Sequence, residues 1–314
     1  MTEALCSAGV WPECTPTRFA ATIEREHPGD CTVALLGLPD DLGVRLNGGR
    51  LGARQGPTAF RAALARFGGQ FDALESRVLD VQVYDAGDVV PAEGDDSAAL
   101  EATHDRVEGV ATRLHEQGLL PVCIGGGHDL SLPTIRALSR ARGSALGGIN
   151  FDAHLDVRQR VGSGMPFRRL IESGSLDPKC FVELGLGRFV NDQADLRWLS
   201  ERGARLVFAD EVLGGGLKLA SMFDQAFSEG RLGFVSIDLD GIDQSMMAGV
   251  SATNPLGLSV WHAAQLAEAA GRNPSVQHFD LMELSPEHDT TGASARVAAS
   301  LFLSFIAGLG ARES

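Results

Sequence analysis

From Thr32 to the C-terminal end of the chain, short apolar or β-branched runs alternate with longer stretches of helical period. The short runs predict strands over Val33–Leu38, Leu79–Tyr84, Leu119–Ile124, Leu146–Phe151, Cys180–Leu186, Arg205–Phe208, Leu232–Asp238 and Val276–Leu281. Helices are expected between them, over Pro57–Phe67, Ser97–Gln117, Leu130–Ala141, Met165–Glu172, Asp192–Arg202, Leu217–Glu229, Ser259–Ala270 and Ala295–Leu309. In Ser97–Gln117, Leu100, Val107, Val110, Ala111 and Leu114 share one stripe, which a helix would turn toward a core. Pro57 suits a first helical turn, and Asp192 and Ser259 suit N-caps.

Strict β-then-α alternation implies parallel strands joined by crossover helices, hence an α/β fold with helices on both faces of one sheet. No linker-like or low-complexity tract divides the chain. One domain over residues 1–314 is therefore expected, with residues 1–31 as an irregular lead-in holding at most a short helix.

Charge and cysteine content narrow the function classes. The formal net charge is −14, which disfavours sequence-independent nucleic-acid binding because that needs clustered Lys and Arg to neutralise phosphates. No apolar run approaches the ~20 residues of a membrane span. The five cysteines (Cys6, Cys14, Cys31, Cys123 and Cys180) form no CxxC pair, which suits a reducing cytoplasm and neither a disulfide framework nor a thiolate zinc site.

Ligands of a parallel α/β sheet bind beyond the carboxyl ends of its strands, so the residues just after each strand carry the chemistry. Three such places are unusual. Leu119-Leu-Pro-Val-Cys-Ile runs out into Gly125-Gly-Gly-His128-Asp129, where glycines allow close backbone approach and no Lys-[Ser/Thr] follows to make a phosphate loop. Phe151-Asp152-Ala-His154-Leu-Asp156 would, if extended, put acid, imidazole and acid on one side. Ser236-Ile-Asp238-Leu-Asp240 repeats the device with two carboxylates. Singly, each is compatible with a cap, a solvated turn or a structural histidine. Together they bring four acids and two imidazoles to one sheet edge.

Two unit charges 4 Å apart interact by about 4 kcal/mol at an effective dielectric of about 20, so four ionised acids cannot crowd without cations. Two divalent ions would balance them. Oxygen-rich donors with imidazole and no thiolate favour hard or borderline ions, Mn²⁺ first, as a pair able to activate water at neutral pH.

These stretches, together with Leu38-Pro-Asp-Asp through Asn47-Gly-Gly-Arg50 to Pro57, resemble the signature motifs of the ureohydrolase family, which contains arginase, agmatinase and formimidoylglutamase. The resemblance implies a three-layer α/β/α sandwich around an eight-stranded parallel sheet and two Mn²⁺ per chain. It implies His128, Asp152, Asp156 and Asp238 as ligands of one ion and Asp152, His154, Asp238 and Asp240 as ligands of the other, with Asp156 also as the catalytic proton carrier. Asp243 would correspond to an acid behind these ligands. A homo-oligomer is also implied.

Within the family the details resemble formimidoylglutamase, which hydrolyses N-formimidoyl-L-glutamate to L-glutamate and formamide in histidine degradation. Gly125-Gly-Gly-His128-Asp129, Asp156-Val-Arg158 and Ala248-Gly-Val-Ser-Ala252 carry that likeness. Arg158 offers a bidentate fork for a carboxylate, which agmatine lacks. By resemblance Ser163 would contact the amino-acid end and Glu283 would hold the cationic amidine. Phe167 would stand in place of a proton-shuttling histidine. Asn47, Arg50, Arg168, Arg169, Arg188 and Asn191 are further candidates for a second carboxylate or the rim. His104, His115 and His262 are expected on helix surfaces and His278 in a strand, all structural. The competing expectations are a urea-releasing amidinohydrolase of agmatine or a guanidino acid, and a catalytically silent family member.

Overall fold

The computed structural model describes residues 5–69 and 71–312; the first four residues of the expected lead-in, Gln70 and the last two residues lie outside the described residues. Nine strands form one sheet: β1 (Cys6–Ser7), β2 (Val33–Leu38), β3 (Val83–Val89), β4 (Leu120–Gly125), β5 (Leu146–Phe151), β6 (Leu176–Leu186), β7 (Arg205–Phe208), β8 (Gly233–Asp238) and β9 (Val276–Met282). Their order is β1-β3-β2-β4-β9-β8-β5-β6-β7, and every pairing is parallel except the β1–β3 edge. The eight expected parallel strands are present. The ninth comes from the lead-in, where two residues pair antiparallel with Asp88 and Val89, too short a run for any periodicity to reveal.

The helices are α1 (Leu42–Leu46), α2 (Gly56–Leu64), α3 (Ser97–Glu116), α4 (Ser131–Arg142), α5 (Pro166–Glu172), α6 (Gln193–Ser200), α7 (Ala209–Gly215), α8 (Leu219–Ala226), α9 (Val260–Arg272) and α10 (Ala293–Leu309). Asp192 and Ser259 cap α6 and α9 as their side-chain chemistry suggests, accepting from Ala194 and His262 backbone N–H groups. One face of the sheet packs its Val, Leu and Phe side chains against α2, α8, α9 and α10; Phe279 stacks on Phe305 at 4.2 Å. On the other face, Phe167, Phe181 and Phe234 pack together with Leu100, Ile135 and Leu138, under α3, α4 and α5. The layering is the expected α/β/α sandwich.

One strand is displaced from its expected position. Leu79–Tyr84 is the apolar run, but the sheet uses Val83–Val89. The polar residues that disguise this strand, Asp85 and Asp88, both pair inside the fold with Arg61 of α2. Arg61 is 1% exposed. It grips Asp85 through Nε (2.9 Å) and Nη2 (2.8 Å), and reaches Asp88 through Nη1 (2.6 Å). Burial alone would lower the Arg61 pKa, but the two carboxylates hold it raised. A buried network of one guanidinium and two carboxylates thus replaces apolar packing at this edge.

Removing one partner of such a triad strands the others in a dry interior. Arg61→Met, which keeps most of the stem, is expected to lower unfolding free energy by about 3–5 kcal/mol in urea titrations. A loss below about 1 kcal/mol would show that the triad is not what holds β3 to α2.

Candidate metal centre

Four adjacent strands at the middle of the sheet, β4, β9, β8 and β5, end at one place. After β4 the chain passes Gly125-Gly-Gly and enters a 3-10 turn at His128–Leu130. These glycines have negative φ; what they provide is room, since a Cβ on Gly126 would lie 1.8 Å from the Asp40 carbonyl oxygen. After β8, Asp238 caps a 3-10 turn by accepting the Asp240 N–H at 2.8 Å, which turns Asp240 back over the strand end. After β5 the extended conformation stops at Phe151, so alternation does not orient residues 152–156 as the sequence suggests. Asp152 instead accepts the His154 N–H at 2.7 Å, and Asp156 takes a left-handed φ of 46°. Those turns fold Asp152, His154 and Asp156 inward. Glu283, after β9, is likewise left-handed at φ 64°. Non-glycine residues pay about 1–3 kcal/mol for that conformation, and among the described residues half of the four examples are here.

The six expected side chains meet. His128 Nδ1 lies 2.9 Å from Asp156 Oδ2, 3.1 Å from Asp238 Oδ2 and 3.2 Å from Asp152 Oδ2. His154 Nδ1 lies 3.3 Å from Asp152 Oδ1 and 3.3 Å from Asp240 Oδ1. Two groups of donor atoms result, His128–Asp152–Asp156–Asp238 and Asp152–His154–Asp240, each within a sphere that one ion could fill. Asp152 serves both, with one oxygen in each. Asp238 is in the first group only; its other oxygen accepts the Asp240 N–H.

The donor set fits divalent cations. His128 Nδ1 faces three carboxylate oxygens yet, like Asp240 Oδ1, makes no aligned hydrogen bond despite complete burial. On its other side, His128 Nε2 is 3.0 Å from Ser236 Oγ, and the Ser236 hydroxyl donates to Asp280 Oδ1 at 2.5 Å. Ser236 must therefore accept from Nε2–H, and a neutral His128 presents its Nδ1 lone pair to the carboxylates, the tautomer a metal requires.

Burial would lower His128, but Asp152, Asp156 and Asp238 close around Nδ1 carry it well above its usual pKa. Asp240 raises His154 in the same way. Burial, reinforced by neighbouring acids, pushes Asp238 well up and Asp240 up to about 6. Glu283 is driven to about 8 by burial and Asp240.

Several polar groups behind the cluster escaped the sequence reading. Asn150 donates to Glu183 Oε2 at 2.8 Å beside Asp152, and Glu183 is fully buried with its pKa well raised by burial and by Asp152. Asp280 also receives Ser131 (3.0 Å) and contacts His278 (2.9 Å). Their signal was present as polar residues interrupting apolar strands.

A cleft of about 180 Å³ opens over the cluster and is lined by Asn47, Arg158, Ser163, Ser251 and Glu283 among others. Glu283 accepts His128 N–H at 3.0 Å with one oxygen and Ser251 Oγ–H at 2.9 Å with the other. Phe167 is not in this cleft. It is fully buried behind His128, edge-on at 5.4 Å and stacked with Phe234, so its face of α5 belongs to the core and Ser163 is the member of that stretch that lines the cleft.

Other candidates serve the scaffold. Arg168 is buried, donates to the Val157 carbonyl and stacks on Trp198; Asn191 ties Leu155 N–H to the Ala153 carbonyl. Asp243 spends its carboxylate on Ser245. Arg50 clamps the Val250 and Ser251 carbonyls, while Arg169 reaches Gln159 and Arg188 stacks on Phe189. His104 and His115 are buried, not on the surface, because α3 is covered on both flanks; His104 pairs with Asp129 at 2.7 Å. His262 closes the α9 capping box.

Comparison with known proteins gives the site its context. The model of the Arginase family matches residues 31–308. A formimidoylglutamase of Geobacillus thermodenitrificans is 32% identical over 279 residues, covering 87% of this chain and 83% of its own. One of Aeromonas hydrophila is 33% identical over 285 residues, with 88% and 86% covered. A guanidinopropionase of Pseudomonas aeruginosa is 30% identical over 285 residues, with 89% and 87% covered. The crystal structure of Trypanosoma cruzi formiminoglutamase with Mn²⁺ superposes with a TM-score of 0.86 at 33% identity, over 94% of this chain and 99% of that one.

Because a metal must displace protons from this cluster, Mn²⁺ affinity is expected to fall by about tenfold or more per pH unit on going from pH 8 to pH 6. Calorimetric titrations in buffers of different ionisation enthalpy should show protons released on binding. Affinity independent of pH, with no proton release, would mean the donor set is not the binding site.

Proposed function

The chain belongs to the arginase family, and we propose that it hydrolyses N-formimidoyl-L-glutamate to L-glutamate and formamide with two Mn²⁺ per chain. The observation that carries this reading is that an arginine, Arg158, lines the same small cleft as Glu283 and the His/Asp cluster, where its guanidinium could take a carboxylate. Formimidoylglutamate has a cationic amidine at one end and two carboxylates at the other, and the cleft offers groups of opposite sign to each. Relatives named formimidoylglutamase over most of their length support the choice. The soluble chemistry of such a substrate also fits a chain in which no described helix is long and apolar enough to cross a membrane. We place the reaction in histidine degradation and in the cytoplasm.

His128, Asp152, Asp156 and Asp238 would hold one ion and His154, Asp240 and Asp152 the other. When bound, the pair supplies Lewis acidity and lowers the pKa of water, so that a nucleophile exists at neutral pH. Glu283 holds the amidinium by charge-assisted hydrogen bonds, its two oxygens already oriented by His128 N–H and Ser251 Oγ–H. That grip places the formimidoyl carbon over the cluster. Asp156, in the donor group with His128, takes a proton from the attacking water and returns it. The water oxygen bonds to the formimidoyl carbon, the bond from that carbon to the glutamate nitrogen breaks, and Asp156 gives that nitrogen its proton. Ser163 and Arg158 hold the carboxylate end.

A guanidino acid is the second reading, since a guanidinopropionase is also among the relatives and its substrate class pairs a cation with a carboxylate. Urea and formamide separate the two. Mn²⁺-loaded protein supplied with N-formimidoyl-L-glutamate, 3-guanidinopropionate, arginine and agmatine should release formamide from the first at least about 100-fold faster than urea from any other, a gap of about 2.7 kcal/mol in transition-state binding. Faster urea release from a guanidino compound would replace this reading. Asp156→Asn should lower kcat by about 10²–10⁴ while metal content persists. Near-native turnover would remove Asp156 from the proton path.

A further inference from the structure

We propose that Asn47 is a positioning residue that sets carboxylate specificity by fixing both Arg158 and Ser163 as donors to the amino-acid end of the substrate. This rests on the reading of the cleft given above. Asn47 follows α1 and stands between the two residues: its Oδ1 is 3.0 Å from Arg158 Nη1 and its Nδ2 is 3.3 Å from Ser163 Oγ. The chemistry leaves one orientation of the amide. A guanidinium has only donors, so the atom facing Arg158 is the carbonyl oxygen, and the NH₂ group therefore faces Ser163. Ser163 Oγ then accepts, and its own proton is free to point away from Asn47, into the cleft that both residues line.

Arg158 is exposed, and its side chain has no hydrogen bond other than that to Asn47 among the described residues. An unrestrained arginine gives up rotamer entropy when it grips a ligand. With Nη1 tied to Asn47, Nε and Nη2 keep a free edge whose direction is already set. The result is two aligned donors and a hydroxyl proton with no acceptor between them. Such a set binds a carboxylate and rejects an ammonium or an alkyl end, which can satisfy none of those donors. The backbone reinforces the placement: Ser163 N–H donates to the Gly43 carbonyl of α1 at 2.9 Å, and Arg158 N–H to the Gly164 carbonyl at 2.8 Å. Asn47 touches neither the His/Asp cluster nor Glu283 through any hydrogen bond, so its effect falls on binding and spares the reacting end.

The test compares wild type and Asn47→Ala, both loaded with Mn²⁺, on N-formimidoyl-L-glutamate and on N-propylformamidine, which has the amidine without carboxylates. The substitution should raise KM for the first about tenfold with kcat within about twofold, and leave kcat/KM for the second unchanged; the second substrate thereby also reports intact folding and metal loading. Asn47→Asp, which places an anion where the substrate carboxylate must approach, should raise the first KM further. Equal losses on both substrates, or an unchanged KM, would overturn the assignment of Asn47 while leaving the activity in place. Wild-type protein that releases no formamide would overturn both.

Discussion

Four carboxylates from adjacent strand ends occupy a space in which they cannot all be ionised without positive charge among them. His128 sits within 3.2 Å of three of them and His154 within 3.3 Å of two. At such distances each uncompensated repulsion is worth several kcal/mol even with generous screening. The fold brings them together nonetheless, through left-handed turns at Asp156 and Glu283 and through a glycine loop that only residues without Cβ can follow. A structure that accepts strain and repulsion at one place is organised for what neutralises them. A pair of divalent ions would do so fully, and would convert the same crowding into a means of activating water.

The rest of the molecule can be read outward from that requirement. Behind His128, the Ser236–Asp280 chain fixes the tautomer, so the ring nitrogen facing the carboxylates carries a lone pair when the ring is neutral. Beside Asp152, Asn150 donates to the buried Glu183, whose pKa burial and Asp152 raise well above its usual value. Above the cluster, an acid, Glu283, and a base, Arg158, line one cleft of about 180 Å³. Charge alternates from the metal donors to the rim, and a substrate that is cationic at its reacting end and anionic at the other matches that alternation.

The alternating pattern made the eight parallel strands legible, as well as the helices on both faces, because burial on both sides of a parallel sheet leaves apolar runs that no other arrangement needs. The site residues were legible for a related reason: Asp152, His154, Asp156, Asp238 and Asp240 follow such runs without a break, where only the strand ends can put them. What was hidden has physical causes. β3 was misplaced because Asp85 and Asp88 are buried by pairing with Arg61, a contact from a distant helix that no local window contains. β1 is two residues long and exists by pairing alone. Phe167 could not be placed from its neighbours, since which face of α5 meets the core is a tertiary fact. Asp152 to Asp156 were expected to converge by strand alternation; they converge through side-chain-to-backbone turns, a different route to the same place.

Asp152, with one oxygen in each donor group, is the hinge of this account. Metal analysis of protein dialysed after loading with Mn²⁺ tests it most directly. Wild-type chain should retain about two ions and Asp152→Ala close to none, because both sites lose a donor and the repulsion they share is no longer bridged. One ion per wild-type chain, or two in the variant, would contradict it.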